Sequence, residues 1–142
     1  MADLIDGGNG NDSLGGREGN DTLLGGLGAD SLYGELGNDL FDYNLVSESP
    51  TSVGRDVIGD FSGAGAVLGD RIDLTTIDAN SLVAGDQAFS WIGGATFTAA
   101  GQLRYSGGVL QGSTDADVAA EFEIQLVGTP ALVVGGAGTD IL

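Results

Sequence analysis

Asp3, Asp12, Asp21, Asp30 and Asp39 follow one another at an interval of nine residues, without a slip. Two residues beyond each stands an apolar side chain: Ile5, Leu14, Leu23, Leu32 and Phe41. Two residues before each of the last four stands a glycine (Gly10, Gly19, Gly28, Gly37), and three further back stand Gly7, Gly16, Gly25 and Gly34. The full units read GGNGNDSLG, GREGNDTLL, GGLGADSLY and GELGNDLFD, after a partial unit ending in ADLID. A Gly-rich hexad can turn tightly and aim carbonyl oxygens inward, because glycine tolerates positive φ. The three residues left over suffice for a short strand with one side chain in a core. Two nonapeptides then make one 18-residue turn of a flattened coil, each loop stacking on the loop two units later at about 4.8 Å. A flexible linker has no reason to place an apolar residue at every ninth position. A phosphate-cradling loop needs a Lys after its glycines, and this chain has no Lys.

Such stacking sets Asp12 over Asp30 and Asp21 over Asp39. At about 5 Å and an effective dielectric near 20, each pair repels by roughly 3 kcal/mol before screening. One Leu, Ile or Phe in nine residues buries too little surface to offset this together with the glycine entropy. A divalent cation between the loops turns the repulsion into coordination, so folding and metal binding should be coupled. The absence of Cys and His removes disulfides, thiolate and imidazole ligands, and the usual nucleophile and general base. Hard oxygen ligands remain, and Ca²⁺ accepts six to eight of them in flexible geometry where Mg²⁺ does not. Asp and Glu number 21 against 4 Arg, for a formal charge of −17, which argues against nucleic acid or an anionic membrane as partner. No apolar run approaches the ~18 residues of a membrane span. Met1-Ala2-Asp3-Leu4 lacks the character of a cleaved signal peptide, so any export address lies elsewhere.

The second position of the nonapeptide is Gly8 and Gly26 in odd units but Arg17 and Glu35 in even ones. Being 18 apart, Arg17 and Glu35 should share one edge of the roll and form an exposed ion pair worth at most about 1 kcal/mol. After Asp42 the repeat stops. Val57–Phe61 and Arg71–Leu74 read as strands around a Gly-rich loop. Residues 75–84 read as a short helix capped by Thr75 or Thr76, and residues 88–92, 102–105 and 108–111 as short strands. Glu121–Val127 alternates, with Phe122, Ile124 and Leu126 on one face. Phe89 and Trp91 are expected to anchor the core beneath this sheet, Trp91 as a packing residue and not a sugar platform.

The nine-residue unit matches G-G-x-G-x-D-x-U-x, the Ca²⁺-binding repeat of RTX proteins. Farther on, RDVIGDF, GDRIDL, QAFSWIG, GQLRYSGGVLQG and AEFEIQLVG resemble the C-terminal domain of serralysin-type secreted metalloproteases, a module that also closes other RTX proteins, including alginate epimerase R-modules. The resemblance implies an all-β fold: a parallel β-roll over residues 1–46 continuing into a β-sandwich-like cap over residues 47–142, as one module. It also implies several Ca²⁺ ions, each held between stacked loops. By the resemblance, one site would use Gly8, Gly10 and Asp12 with Gly25, Leu27 and Asp30. The next would use Arg17, Gly19 and Asp21 with Gly34, Leu36 and Asp39. The same rule extends the candidate set to Asp3, Gly16 and Glu18 on one side and to Gly26, Gly28 and Gly37 on the other, with Asp56 and Asp70 recruited to the final sites. STDADVAAEFE departs from the family's acidic turn and reads as a solvated hairpin turn at Asp115 and Asp117. At the C-terminus, residues 135–142 fit either an uncleaved export tail or the first eight positions of another nonapeptide.

The H-E-x-x-H zinc motif of the proteases is absent. The function implied is that of a non-catalytic, secreted, extracellular module. Its expected partners are calcium, a type I secretion apparatus and an upstream domain. A polysaccharide-binding or surface-attachment module, as in epimerase R-modules, is the alternative.

Overall fold

The computed structural model describes residues 1–63, 69–135 and 139–142. Each repeat contributes one three-residue strand: β1 (Leu4–Asp6), β2 (Ser13–Gly15), β3 (Thr22–Leu24), β4 (Ser31–Tyr33) and β5 (Leu40–Asp42). Three more short strands follow, β6 (Asp56–Ile58), β7 (Arg71–Asp73) and β8 (Ser90–Trp91). The five-residue strands β9 (Gln102–Ser106), β10 (Val109–Ser113) and β11 (Phe122–Leu126) come last. Odd and even strands part into two sheets, ordered β1-β3-β5-β7 and β2-β4-β6-β11-β10-β9-β8. Within the repeats every pairing is parallel with an offset of 18, as in Leu4↔Thr22 and Ser13↔Ser31. The 18-residue turn is therefore the unit of the roll.

One side chain per strand fills the space between the sheets. Leu23, Leu32, Phe41, Ile58 and Ile72 are wholly buried, while Ile5 and Leu14 at the first turn are partly covered. Phe61 closes on Phe41 with ring centroids 6.1 Å apart. The second sheet does not stop where the repeats do: β6 pairs in parallel with β4 on one side and with β11 on the other. Phe122, Ile124 and Leu126 extend the same core, as the alternation of that segment requires. Gly107 and Gly108, both at positive φ, make the two-residue turn between β9 and β10 that suits the twist of paired strands.

Two expectations fail here, and at the C-terminus one of the two readings left open. Residues 75–84 form turns and not a helix. Asp73 accepts the Thr75 N–H, Asp78 that of Asn80, and Asn80 that of Leu82, so short polar side chains outcompete the helical ladder. Trp91 lies on the edge strand and is 36% exposed, so it lines a surface cleft and does not anchor the core; Phe89 packs there against Phe122 instead. At the C-terminus, Ile141 bridges Ile72 in parallel, which places Ile141 in the core one residue after Asp140. A nonapeptide would have put Leu142 there, two residues after the Asp. Residues 136–138 of that segment, like 64–68 of the β6–β7 loop, lie outside the described residues.

Candidate metal centre

The two edges of the roll carry the loops. On the first edge, loop 7–12 stacks on loop 25–30; on the second, loop 16–21 stacks on loop 34–39. The contacts repeat from layer to layer. Leu27 N–H donates to Gly8 O and Gly10 N–H to Leu27 O; on the other edge Leu36 N–H donates to Arg17 O and Gly19 N–H to Leu36 O. The layers touch so closely that a Cβ on Gly28 would collide with the Gly10 carbonyl, which is why glycine stands there. At the second position the backbone is left-handed in every loop: φ is 85° at Gly8 and 89° at Gly26, but also 74° at Arg17 and 66° at Glu35. Arg17 and Glu35 do share an edge. Among the described residues, however, the one ion pair is Arg55–Glu123, so the expected Arg17–Glu35 pair is not formed. Their Cα atoms are tied by the loop ladder in a left-handed turn, and the Glu35 carboxylate lies over Gly15.

The aspartates form two rows of hydrogen bonds. Asp3 N–H donates to Asp21 Oδ1 (2.7 Å), Asp21 N–H to Asp39 Oδ1 (2.7 Å) and Asp39 N–H to Asp70 Oδ1 (2.9 Å). On the other edge Asp12 N–H donates to Asp30 Oδ1 and Asp30 N–H to Asp56 Oδ1, both at 2.8 Å. Asp56 and Asp70 thus continue the rows although neither belongs to a repeat. The second oxygen tells more. Oδ2 of Asp12, Asp21, Asp30, Asp39 and Asp56 is buried and has no hydrogen-bond partner. Carbonyls turn toward the same spaces: a Cβ on Gly7 would lie 3.0 Å from Asp12 Oδ2 and 2.7 Å from Gly25 O. One on Gly16 would lie 2.7 Å from both Asp21 Oδ2 and Gly34 O. The resemblance had grouped Asp12 with Gly25 and Asp21 with Gly34; the atoms of each pair lie together around Gly7 and Gly16 respectively.

A buried acceptor left without a partner costs roughly 1–3 kcal/mol, and more when charged. Where such oxygens recur in register, with carbonyls beside them and no nitrogen or sulfur, the donor set fits a hard dication. Burial pushes Asp56 up to about 7, the Asp30 and Glu48 charges adding to the effect while the Asp30 N–H opposes it. Burial likewise raises Asp39 and Asp70, each surrounded by further carboxylates. Tyr43, fully buried beside Asp56, has its hydroxyl held far above the usual range by burial and by that carboxylate; no hydrogen bond of good geometry closes between them. These are the marks of carboxylates gathered without a cation of the protein's own.

Asp60 was not singled out by the sequence. Its carboxylate accepts from Gly34 N–H (3.0 Å) and Glu35 N–H (2.8 Å), taking the place of a further loop above loop 34–39. It lies outside the nine-residue phase, so periodicity offered no signal; its place in D-x-I-x-D-F was the only mark. Asp115, Asp117 and Glu121 bring carboxylate oxygens within 4.8 Å of one another. Each already accepts backbone N–H groups of its own turn, from Asp117, Ala119 and Thr114, so the cluster is the hairpin turn expected.

Residues 2–23 and 15–45 match the family described as the RTX calcium-binding nonapeptide repeat (4 copies). The roll is therefore built of RTX repeats, a calcium-binding type. Over 89% of this chain and 71% of the other, the structure is similar to the solution structure of the AlgE6R3 subunit from the Azotobacter vinelandii mannuronan C5-epimerase, at 28% sequence identity and a TM-score of 0.51. No curated protein matches the sequence.

Proposed function

We propose that this chain is a non-catalytic module of a secreted protein that folds on binding several Ca²⁺ ions. The observation that supports it is the register of buried, unpartnered Oδ2 atoms on Asp12, Asp21, Asp30, Asp39 and Asp56 between the stacked layers. On this reading, Gly8, Gly10 and Asp12 with Gly25, Leu27 and Asp30 hold one ion; Arg17, Gly19 and Asp21 with Gly34, Leu36 and Asp39 hold another. Asp56 and Asp70 complete the last layers. Asp3, Gly16, Glu18, Gly26, Gly28 and Gly37 serve the neighbouring layers through backbone or carboxylate oxygen. Two carboxylates balance one dication, which removes the repulsion that keeps the rows apart. Residues 1–46 and 47–142 form one continuous module, the second part a cap of the serralysin type. Where free calcium is scarce the roll stays open and can thread a type I secretion apparatus. Outside the cell, extracellular calcium modules bind with Kd of roughly 10⁻⁴–10⁻³ M, so the ion folds the module and steadies an upstream domain. A far-UV circular dichroism titration of chelator-treated protein, with magnesium as control, tests this. Cooperative gain of β signal with calcium alone is expected; a spectrum already folded in chelator and indifferent to calcium would overturn it.

A second reading, a polysaccharide-binding or surface-attachment module, draws on the likeness to an epimerase subunit. Against an anionic polymer such as alginate stands the use of the few cations. Arg55 is bonded to Glu123, and Arg104 is held by Gln111 with its guanidinium 4.5 Å over Phe97. No basic stripe is left. A salt-sensitive spectral shift on adding alginate would revive that form of the reading.

A further inference from the structure

A cleft lies on the surface away from the loops of the roll. It lies at the edge strand β8, where the C-terminal segment meets β7, and has a volume of about 320 Å³. Leu74, Leu103 and Ile141 make an apolar floor; Trp91, Asp86 and Gln87 stand around it. Trp91 is 36% exposed, and a large aromatic left at a concave surface is a usual mark of a binding site.

The polar groups say what could enter. Gln87 Nε2 donates to the carbonyls of Ala84 (3.3 Å) and Gly85 (2.7 Å). Carbonyls only accept, so they fix the amide with its nitrogen toward them and leave Oε1 as an acceptor. That Oε1 is buried and has no partner. Asp86 adds a carboxylate, and no Arg lines the cleft. Acceptors without cations call for a ligand that brings hydrogen-bond donors and no negative charge. The floor and the indole call for C–H surface. A pyranose ring supplies both, hydroxyls around its rim and C–H groups on its face. An organic ammonium would satisfy the acceptors, but recognition of such cations relies on several aromatic faces. Here the Phe89 ring is committed edge-on to Phe122 (5.6 Å, 72°), leaving Trp91 alone.

We propose that the Trp91 cleft is a binding site for the end of an uncharged oligosaccharide, with the indole stacked on a pyranose face and Gln87 and Asp86 accepting from its hydroxyls. It goes beyond the calcium reading and does not rest on it, since none of its residues lies in the loops of the roll. It also gives the polysaccharide reading a defined place, with a neutral glycan instead of an anionic one. Trp91 is the single tryptophan of the chain, so its emission reports on this cleft alone. In the calcium-loaded protein, neutral tetramers of glucose, mannose, galactose and xylose are titrated one by one, with oligomannuronate and tetramethylammonium as charged controls. At least one neutral tetramer should shift the emission to the blue saturably and shield it from acrylamide. By calorimetry Trp91→Ala and Gln87→Leu should each weaken that binding about tenfold or more, with far-UV spectrum and calcium midpoint unchanged. Silence from all four sugars, undiminished binding by Trp91→Ala, or stronger binding of either charged control would overturn the proposal. None of these results would touch the calcium titration, so the two readings fail separately.

Discussion

Asp56 and Glu123 sit on neighbouring strands, β6 and β11, and their carboxyls are treated in opposite ways. Burial raises Asp56 to about 7, and its Oδ2 has no partner. Burial also pushes Glu123 up, but the Ser52 N–H, the Gln111 amide and the Arg55 guanidinium outweigh it and leave the group below its ordinary value. The antiparallel end of the molecule neutralises its buried acid with its own donors. The roll gathers buried acids and supplies a single N–H each to Asp21, Asp30, Asp39 and Asp56. Two regions that share a sheet therefore rest on different counter-ions, one covalently part of the chain and one drawn from solution.

The comparison breaks most visibly on chelation. Hydrogen exchange in excess chelator should cost amides of residues 4–42 about a hundredfold or more in protection, while those of β9–β11 lose less, because only the roll leaves its acids unpaired. Equal loss in both regions would mean that metal holds the whole molecule and the contrast is false. Next in size is Asp30→Asn. Asp30 faces Asp12 in one layer and Asp56 in the next, so calcium affinity should fall about tenfold or more in a titration; Asp115→Asn, in the hairpin turn, should leave it unchanged.

Acidity sharpens the contrast. Folded-state values of Asp39, Asp56 and Asp70 lie above the unfolded one. The metal-free fold therefore binds more protons than the unfolded chain, and its stability is fullest below about pH 4. That stability fades as pH rises toward 7, the value for Asp56. In chelator the folded fraction of the roll, read from the β signal, should thus be larger at pH 5 than at pH 8, and calcium binding should weaken in the acid direction because it needs the carboxylates ionised. Glu123 runs the other way: its contribution is present above its unfolded value and is lost on acidification. Glu123→Gln should lower stability by about 1 kcal/mol at pH 7, discounted for the partly exposed Arg55, and leave calcium affinity alone. Smallest is Glu35→Gly. Relief of a left-handed backbone is worth about 1–2 kcal/mol and the added chain freedom costs about 0.4–1, so a gain of about 0.8 kcal/mol, the middle of the range these allow, is expected in thermal melts with calcium present.

What could be read from residues alone tracks where local rules govern. The phase of Asp12, Asp21 and Asp30 dictated strands, turn length and layer contacts, because each unit meets only its copies. Phe122, Ile124 and Leu126 announced their strand by alternation. Asp60 escaped notice because its role arises when the loop after β6 folds over Gly34 and Glu35. Trp91 was misplaced because hydrophobicity does not reveal which strand ends a sheet. The helix expected at residues 75–84 yielded to Asp73, Asp78 and Asn80, whose side chains took the N–H groups a helix would have used. The Ile141 register was set by pairing beside Ile72 on the outer edge of β7, which no repeat in the sequence records.

The aspartate rows also have a sense of direction. In each rung the N–H belongs to the earlier layer and the accepting carboxylate to the later one. In these rungs each layer's Asp N–H waits on a carboxylate from chain that comes after it, whereas the strand and loop ladders run both ways. The final acceptors, Asp56 and Asp70, begin no new repeat, and the strand that starts with Asp56 is already hydrogen-bonded to β11. The C-terminal sheet thus stands to the roll as a template stands to a polymer. It presents a finished surface against which the next layer can bond, and each layer toward residue 1 then offers its own face to the one before it.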